Sequence, residues 1–109
     1  MTEARRYEVY LPLKYNDGRN IEPEKFEQTT EELLGKFTGL TMMQRRAETA
    51  LHGLWKHAGQ LYKDEIILYI VYNYETDDAN LFFTEYKEIL KERFAQIEIF
   101  IIAIPIEVF

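Results

Sequence analysis

The sequence predicts one α+β domain in which strands and helices follow the order β-α-β-β-α-β. Three stretches are rich in alternating apolar, β-branched or aromatic residues, which is typical of strands. Two further stretches carry apolar residues at helical spacing, and each lies between predicted strands. The chain has 109 residues, the length of one domain, and no internal repeat or low-complexity segment divides residues 1–109.

The first strand and the first helix have clear signals. Over residues 7–15 apolar side chains alternate with mostly polar ones, and Asn16-Asp17-Gly18 supplies turn residues that end the strand. Pro23 suits the first position of a helix, and Gly39 is a suitable residue for that helix to end at.

The second strand is the least regular element. Residues 42–50 contain good helix formers without Pro or Gly, so a short helix is one interpretation. We prefer an irregular strand, because residues 61–74 have the composition of its hairpin partner. A turn centred on Ala58-Gly59 sets the register, in which four pairs face each other: His52 and Glu65, Gly53 and Asp64, Trp55 and Tyr62, and Lys56 and Leu61.

The second helix and the last strand complete the order. An acidic stretch at residues 75–78 precedes a helical stripe of apolar residues from Ala79 to Phe94. Residues 96–108 form a strand that is apolar on both sides, and Pro105 bends it or confines its end to a sheet edge. This order is the split βαβ arrangement of the ferredoxin-like fold. The prediction is therefore a sandwich with a four-stranded sheet and both helices on one face.

A ferredoxin-like arrangement leaves one sheet face without helices, and we call it the open face. The clean apolar sets are assigned to the helix-covered face: Tyr7, Val9, Leu11, Leu13, Ile66, Leu68, Ile70 and Tyr72. The alternate positions fall on the open face: Arg6, Glu8, Tyr10, Lys14, His52, Leu54, Lys56, Lys63, Glu65, Ile67, Tyr69 and Val71. Phe100, Ile102 and Ile104 join them if Ile97, Ile99 and Ile101 face the helices. The apolar members of this second set exceed what a monomer leaves in water, so we expect a homodimer in which a second copy covers the open face.

All the candidate site residues except Trp55 are assigned to the open face. His52 opposite Glu65 is the candidate catalytic pair, because a carboxylate beside a histidine holds its tautomer and makes it a usable acid or base. The candidate ligand-binding residues are aromatic: Tyr10, Tyr69, Trp55 and Phe100. The alternative interpretation of the histidine–glutamate pair is an ordinary cross-strand contact at the surface.

Composition argues against several other functions. The chain has no cysteine, and its two histidines lack metal-ligand spacing, so we expect no metal and no cofactor. The formal net charge of −6 has the wrong sign for a phosphate backbone, so nucleic-acid binding is not expected. No apolar stretch has the length of a secretion signal or a membrane span, so we expect a cytoplasmic protein that does not bind membranes.

Part of the chain resembles a known sequence pattern. The residues that carry the resemblance are Phe37-Thr38-Gly39-Leu40-Thr41, Gly53-Leu54-Trp55, Gly59, Tyr62 and Asp64-Glu65. They resemble small bacterial proteins of unknown function, with Thr38 standing where that pattern prefers glycine. In architecture the chain is similar to the dimeric α+β barrel group, which includes cofactor-independent monooxygenase-like and stress-responsive proteins. In that group two open sheet faces meet and enclose a cavity.

The expected function is that of a homodimer binding a small organic ligand or a protein partner at the open face. The alternative is a small cofactor-independent enzyme of monooxygenase or isomerase type. It would act in a dimer-interface cavity through His52, Glu65 and tyrosines. A purely structural or regulatory interaction domain is the third possibility.

Overall fold

The computed structural model describes residues 2–37, 41–44, 52–57, 60–74 and 76–109. For residues 2, 41–44, 52–57, 60–65 and 76 the description concerns the backbone alone. The strands are β1 (Thr2–Pro12), β2 (Thr41–Gln44), β3 (His52–His57), β4 (Gln60–Asn73) and β5 (Phe100–Val108). The helices are α1 (Pro23–Lys36) and α2 (Thr76–Arg93).

The strands of the described residues form an antiparallel sheet in the order β2-β4-β1-β5, with β3 also paired to β4. This is an α+β fold with ferredoxin-like strand order. The predicted number of four strands is wrong for the described part of the chain, which has five, because the second strand consists of two segments, β2 and β3, along β4. Residues 42–44 lie in β2, so a helix over the whole of 42–50 is wrong, while 45–50 lie outside the described residues.

The outer strands have different bounds from those predicted. β1 begins at Thr2, five residues before the predicted start at Tyr7, and pairs there with Val108 of β5. It ends at Pro12, and a turn follows in which the Tyr15 N–H donates to the Arg19 carbonyl oxygen at 2.8 Å. Pro105 lies within β5 at the sheet edge, where a residue without an N–H is tolerated.

The predicted hairpin register is confirmed. Four pairs of Cα positions lie opposite each other as expected: His52 and Glu65, Gly53 and Asp64, Trp55 and Tyr62, and Lys56 and Leu61. Residues 60–65 of β4 pair with β3, whereas β1 pairs with β4 from Ile66 onward. This β3–β4 hairpin therefore continues past the end of β1 as a two-stranded arm.

Both helices begin where the sequence predicts, and local backbone geometry decides where they end. Pro23 is the first residue of α1. The helix ends at Lys36 rather than near Gly39, because Phe37 is extended (φ −121°, ψ 150°) and stacks its ring on Phe83. After α2, Ala95 takes a left-handed conformation with φ 52°.

Both helices contribute to one buried cluster together with alternate residues of β1 and β4. Its members are Tyr7, Val9, Leu11, Ile21, Leu33, Phe37, Ile67, Tyr69, Val71, Ala79, Phe83, Tyr86, Leu90, Phe94 and Ile99. We call the sheet face that supplies these residues the core face, and the opposite face remains the open face.

The predicted faces are confirmed for β1 and wrong for β4. In β4 the core positions belong to the register partners of the buried β1 residues: Ile67, Tyr69 and Val71. The set predicted to be covered by the helices therefore lies on the opposite side: Ile66, Leu68, Ile70 and Tyr72. Because β4 is apolar on both sides, alternation alone does not distinguish its faces, and pairing with β1 decides.

Candidate functional site

The open face carries three hydrogen-bonded polar residues on β1, which lies between β4 and β5. Arg6, Glu8 and Tyr10 alternate along this strand and so share one side of it. Glu8 accepts a hydrogen bond from Arg6 Nε on Oε2 at 2.8 Å, and one from the Tyr10 hydroxyl on Oε1. Glu8 is only 7 % exposed. We call these three residues the β1 triad.

The β1 triad lies between two apolar rows. On the β4 side its register partners are Tyr72, Ile70 and Leu68, and on the β5 side they are Ile104, Ile102 and Phe100. Leu68 and Ile70 are buried, whereas Phe100 is 59 % and Ile104 39 % exposed. The predicted positions of Phe100, Ile102 and Ile104 on the open face are confirmed, and its exposed apolar surface extends along β5.

The electrostatics of the β1 triad favour recognition over proton transfer. Burial and the hydrogen bond to the Glu8 carboxylate raise the pKa of Tyr10 to about 12, because a phenolate there would be poorly solvated and repelled. Tyr10 is therefore a neutral hydrogen-bond donor near neutral pH. Its ring also meets Phe100 edge to face, with the ring centroids 5.5 Å apart. The arrangement presents a guanidinium, a fixed phenol and an apolar ring side by side.

Tyr69 lies in the core, and its predicted position on the open face is wrong. It is fully buried, and its hydroxyl lies 3.3 Å from Thr30 Oγ1 and donates to the Phe26 carbonyl oxygen at 3.5 Å. Burial raises the pKa of this phenol as well. The misplacement has the same cause as that of the other β4 residues, a strand with two apolar faces.

The remaining predicted site residues belong to the β3–β4 arm. The Cα positions of His52 and Glu65 lie opposite each other, and Trp55 lies three residues further along the arm. The side chains of these residues are outside the description. Glu65 precedes Leu68, the partner of Tyr10, by three residues, which is about 10 Å along a strand. His52 and Glu65 were expected on the open face because of the same alternation that gave the wrong faces for β4. Their pairing as a catalytic unit stays a prediction.

The buried carboxylate of Glu8 is the main feature that sequence reasoning missed. The alternation places Arg6, Glu8 and Tyr10 on the open face but does not connect them. A signal was present, because arginine and glutamate two positions apart in a strand lie on one face as neighbours of opposite charge. What the alternation does not show is that this carboxylate is removed from water.

A shallow groove of about 240 Å³ lies between α2 and β5, and Tyr7 of β1 also lines it. Its polar side chains already have partners: the Tyr7 hydroxyl donates to Asn80 Oδ1 at 2.6 Å, and Lys87 Nζ lies 2.8 Å from Glu98 Oε1. In the part of the chain that is described, no cluster of three or more His, Asp or Glu residues could hold a metal ion. Within the same residues, neither helix has the length and apolar character needed to cross a membrane.

Comparisons with known proteins show the fold. No protein-family model and no curated protein sequence matches the chain. The chain is similar to CutA1 from Oryza sativa, with a TM-score of 0.65 and 14 % identity over 99 % of this chain and 84 % of that one. It is similar to the divalent cation tolerance protein CutA1 from Thermus thermophilus, with a TM-score of 0.63 and 14 % identity over 97 % and 86 %.

A third structural neighbour is a phage SAM lyase solved in complex with S-methyl-5'-thioadenosine. Its TM-score is 0.69 at 14 % identity, over 99 % of this chain and 92 % of that one. At such low identity these similarities concern the fold, and activity does not follow from a shared fold.

Proposed function

We propose that two copies of this chain associate through the β5 side of the open face, and that the face binds a small organic ligand beside the β1 triad. The observation that carries the proposal is an exposed apolar row, Phe100 to Ile104, next to a buried carboxylate held by two partners. An apolar surface with a few fixed polar groups is the usual composition of a ligand site.

A second copy is the partner that β5 favours. This strand is at the edge of the described sheet and pairs with β1. An edge strand with exposed apolar side chains tends to associate with another chain, and a two-fold axis lets both chains use the same surface. Pro105 has no N–H to donate to an added strand. Repeated addition of strands at this edge is therefore disfavoured, and a dimer of two chains is favoured.

Light scattering during gel filtration tests the association. At micromolar concentration we expect about twice the 13.1 kDa mass of one chain. The Phe100→Asp variant should have the mass of a monomer, because the substitution places a charge in the interface. The matched control is Leu81→Asp on α2, since Leu81 is 60 % exposed and Phe100 59 %. A monomeric wild type would contradict the proposal. A wild-type assembly larger than a dimer that Phe100→Asp dissociates would contradict the two-fold arrangement while keeping β5 in the interface.

Ligand binding is tested first with probes that the structural neighbours suggest. The phage lyase was solved with S-methyl-5'-thioadenosine, and one CutA1 protein is a divalent cation tolerance protein. We expect the organic probe to raise the melting temperature of the wild type, and a divalent cation alone to leave it unchanged. A ligand at ten times its Kd stabilises a folded protein by about 1.4 kcal/mol. Phe100→Ala should remove the shift, and a shift that survives this change would place binding elsewhere.

A small enzyme acting at the interface is the second candidate. It is favoured by the register that places His52 opposite Glu65, and one of the structural neighbours is a lyase. Titration of His52 by NMR tests it: if Glu65 stabilises the imidazolium, Glu65→Gln should lower the titration midpoint of His52. An identical midpoint in both proteins would leave the pair as an ordinary surface contact.

A further inference from the structure

We infer that Arg6 recognises a carboxylate group, so that the open face prefers an organic acid with an apolar body over a neutral ligand such as the thioadenosine probe. The inference rests on the proposed function, because it names the chemistry of the ligand that the same face would bind.

Arg6 is held in place by one nitrogen. Its Nε donates to Glu8 Oε2 at 2.8 Å, while the other oxygen of that carboxylate accepts the Tyr10 hydroxyl. Because Glu8 is buried, the carboxylate is a fixed anchor for the guanidinium. A side chain that is fixed before binding loses less conformational entropy when a ligand arrives.

The outer edge of the Arg6 guanidinium is unused. Its terminal nitrogens make no hydrogen bond or ion pair with any residue that the structure describes. The side chain is 33 % exposed, so solvent reaches part of it. Two parallel N–H groups on a planar guanidinium match the two oxygens of a carboxylate in a bidentate pair.

Two other arginines of this chain show what distinguishes Arg6. Arg93 directs its terminal nitrogens at Glu32 and Thr29, and so has no free edge of this kind. Arg19 is also held through Nε, by Asp17 at 2.7 Å, but its side chain is 69 % exposed in a turn. Arg6 therefore differs from both because it combines a fixed Nε in a strand with terminal nitrogens that have no partner among the described residues.

The surroundings of Arg6 favour a ligand with one negative charge and an apolar body. Its register partners are Tyr72 and Ile104, both exposed, which offer apolar contact on either side. Glu8 places a negative charge beside the guanidinium, and the chain carries a net charge of −6. Both charges disfavour a dianion such as phosphate relative to a monocarboxylate.

Calorimetric titration with 3-phenylpropionate and with its neutral amide tests the inference on the wild-type protein. We expect the acid to bind at least tenfold more tightly than the amide, and more tightly than inorganic phosphate. In Arg6→Gln this preference should disappear, because the acid loses its bidentate partner while the apolar contacts remain. A tenfold change corresponds to about 1.4 kcal/mol.

Two further variants control the result. Arg19→Gln removes an arginine with the same Nε contact and should bind both probes like the wild type. Arg6→Gln leaves Glu8 with one partner fewer, so the double variant Arg6→Gln/Glu8→Gln, which removes both charges, serves if the single variant unfolds. It should also bind acid and amide alike.

The outcomes separate the inference from the proposed function. If the wild type binds both probes equally, prefers phosphate, or keeps its preference for the acid without Arg6, the inference is wrong while ligand binding at the face stands. If an intact assembly binds neither probe, both the inference and ligand binding at the face are contradicted.

Discussion

Arginine, glutamate and tyrosine form two hydrogen-bonded groups in this protein. The groups differ in whether the terminal nitrogens of the arginine have partners among the described residues. Between the helices, Arg93 donates to both oxygens of Glu32 at 2.7 and 2.9 Å, and the Tyr86 hydroxyl donates to the same carboxylate at 2.7 Å. On the open face, Arg6 donates to Glu8 through Nε. The interhelical group joins residues 54 and 61 positions apart, whereas Arg6 and Glu8 are two apart in one strand.

The comparison separates polar residues that hold the fold from polar residues available to a ligand. Arg93 also donates to Thr29 Oγ1, and Lys25 Nζ binds the Arg93 carbonyl oxygen, so the interhelical group ties α1 to the end of α2. The hydrogen bonds that join the β1 triad stay within β1, which is already held by β4 and β5. We therefore expect stability to depend mainly on the interhelical group and binding on the β1 triad.

The largest effect on stability is expected from the loss of Arg93. Arg93→Leu removes the hydrogen bonds to Glu32 and Thr29 and leaves a half-buried carboxylate without its counter-charge. We expect the free energy of unfolding to fall by about 2–3 kcal/mol, measured by urea unfolding at one protein concentration. Arg19→Leu breaks an exposed pair and should change it by about 0.5 kcal/mol or less. Similar losses in the two variants would contradict the structural role of the interhelical group.

Loss of the Tyr86 hydroxyl should lower the free energy of unfolding more than loss of the Tyr10 hydroxyl. Tyr86→Phe removes a buried hydroxyl that donates to Glu32, and we expect a loss of about 2 kcal/mol. Tyr10→Phe keeps the ring contact with Phe100 and removes a half-buried hydroxyl, so about 1 kcal/mol is expected. Thermal unfolding of both variants measures the difference. An equal or reversed order would show that the β1 triad also holds the fold.

Acid should weaken the interhelical group. Hydrogen bonds from Arg93 hold the pKa of Glu32 below its ordinary value of 4.5. A lowered pKa in the folded state adds stability above pH 4.5, and this contribution is lost as pH falls through the folded-state pKa. The stability difference between wild type and Glu32→Gln should therefore shrink below pH 4.5, by about 1 kcal/mol or less because water screens the pair. A difference that stays constant from pH 7 to pH 3 would contradict this origin.

The smallest effect is a gain at the end of α2. Ala95 has φ 52°, a left-handed conformation that costs alanine more than glycine, and the following Gln96 N–H caps the helix at the Lys91 carbonyl oxygen. Ala95→Gly should raise the free energy of unfolding by about 0.5–1 kcal/mol, after the entropy cost of glycine. Because Ala95 is an exposed residue after α2 and lies outside β1 and β5, oligomeric mass and binding to the acid probe should not change. Chemical denaturation and calorimetry check both statements.

Local signals were sufficient to predict the alternation of strand and helix regions and the hairpin register, but not the division of the second strand into β2 and β3. Pro23 and the apolar spacing of the helices act within a few residues, and the turn predicted at Ala58-Gly59 gives the register that the Cα positions of β3 and β4 show. The faces of β4 could not be predicted in this way. Ile67 and Leu68 are equally apolar, and the choice between them depends on pairing with β1, more than fifty residues earlier.

The candidate site was predictable in part for the same reason. Tyr10 was placed correctly because β1 alternates cleanly. Phe100 was placed correctly on the condition that Ile99 and Ile101 face the helices, and its pairing with Tyr10 confirms that face. The burial of Glu8 depends on the strands beside it and on two hydrogen bonds made in the folded state. Alternation reports the face of a residue, not whether water reaches it.

The two margins of the sheet should differ in the exchange of their amide hydrogens with solvent. At one margin, residues 60–65 of β4 pair with β3 past the end of β1, and a two-stranded ribbon of this kind opens at low free-energy cost. At the other margin β5 pairs with β1 on one side, and association of two copies would cover it. Deuterium uptake in β5 would then slow as protein concentration rises, while uptake in the arm would not. In a chain 44 Å long, deuterium uptake in β5 would therefore report on association of two copies, and uptake in the arm at the other margin would serve as the reference.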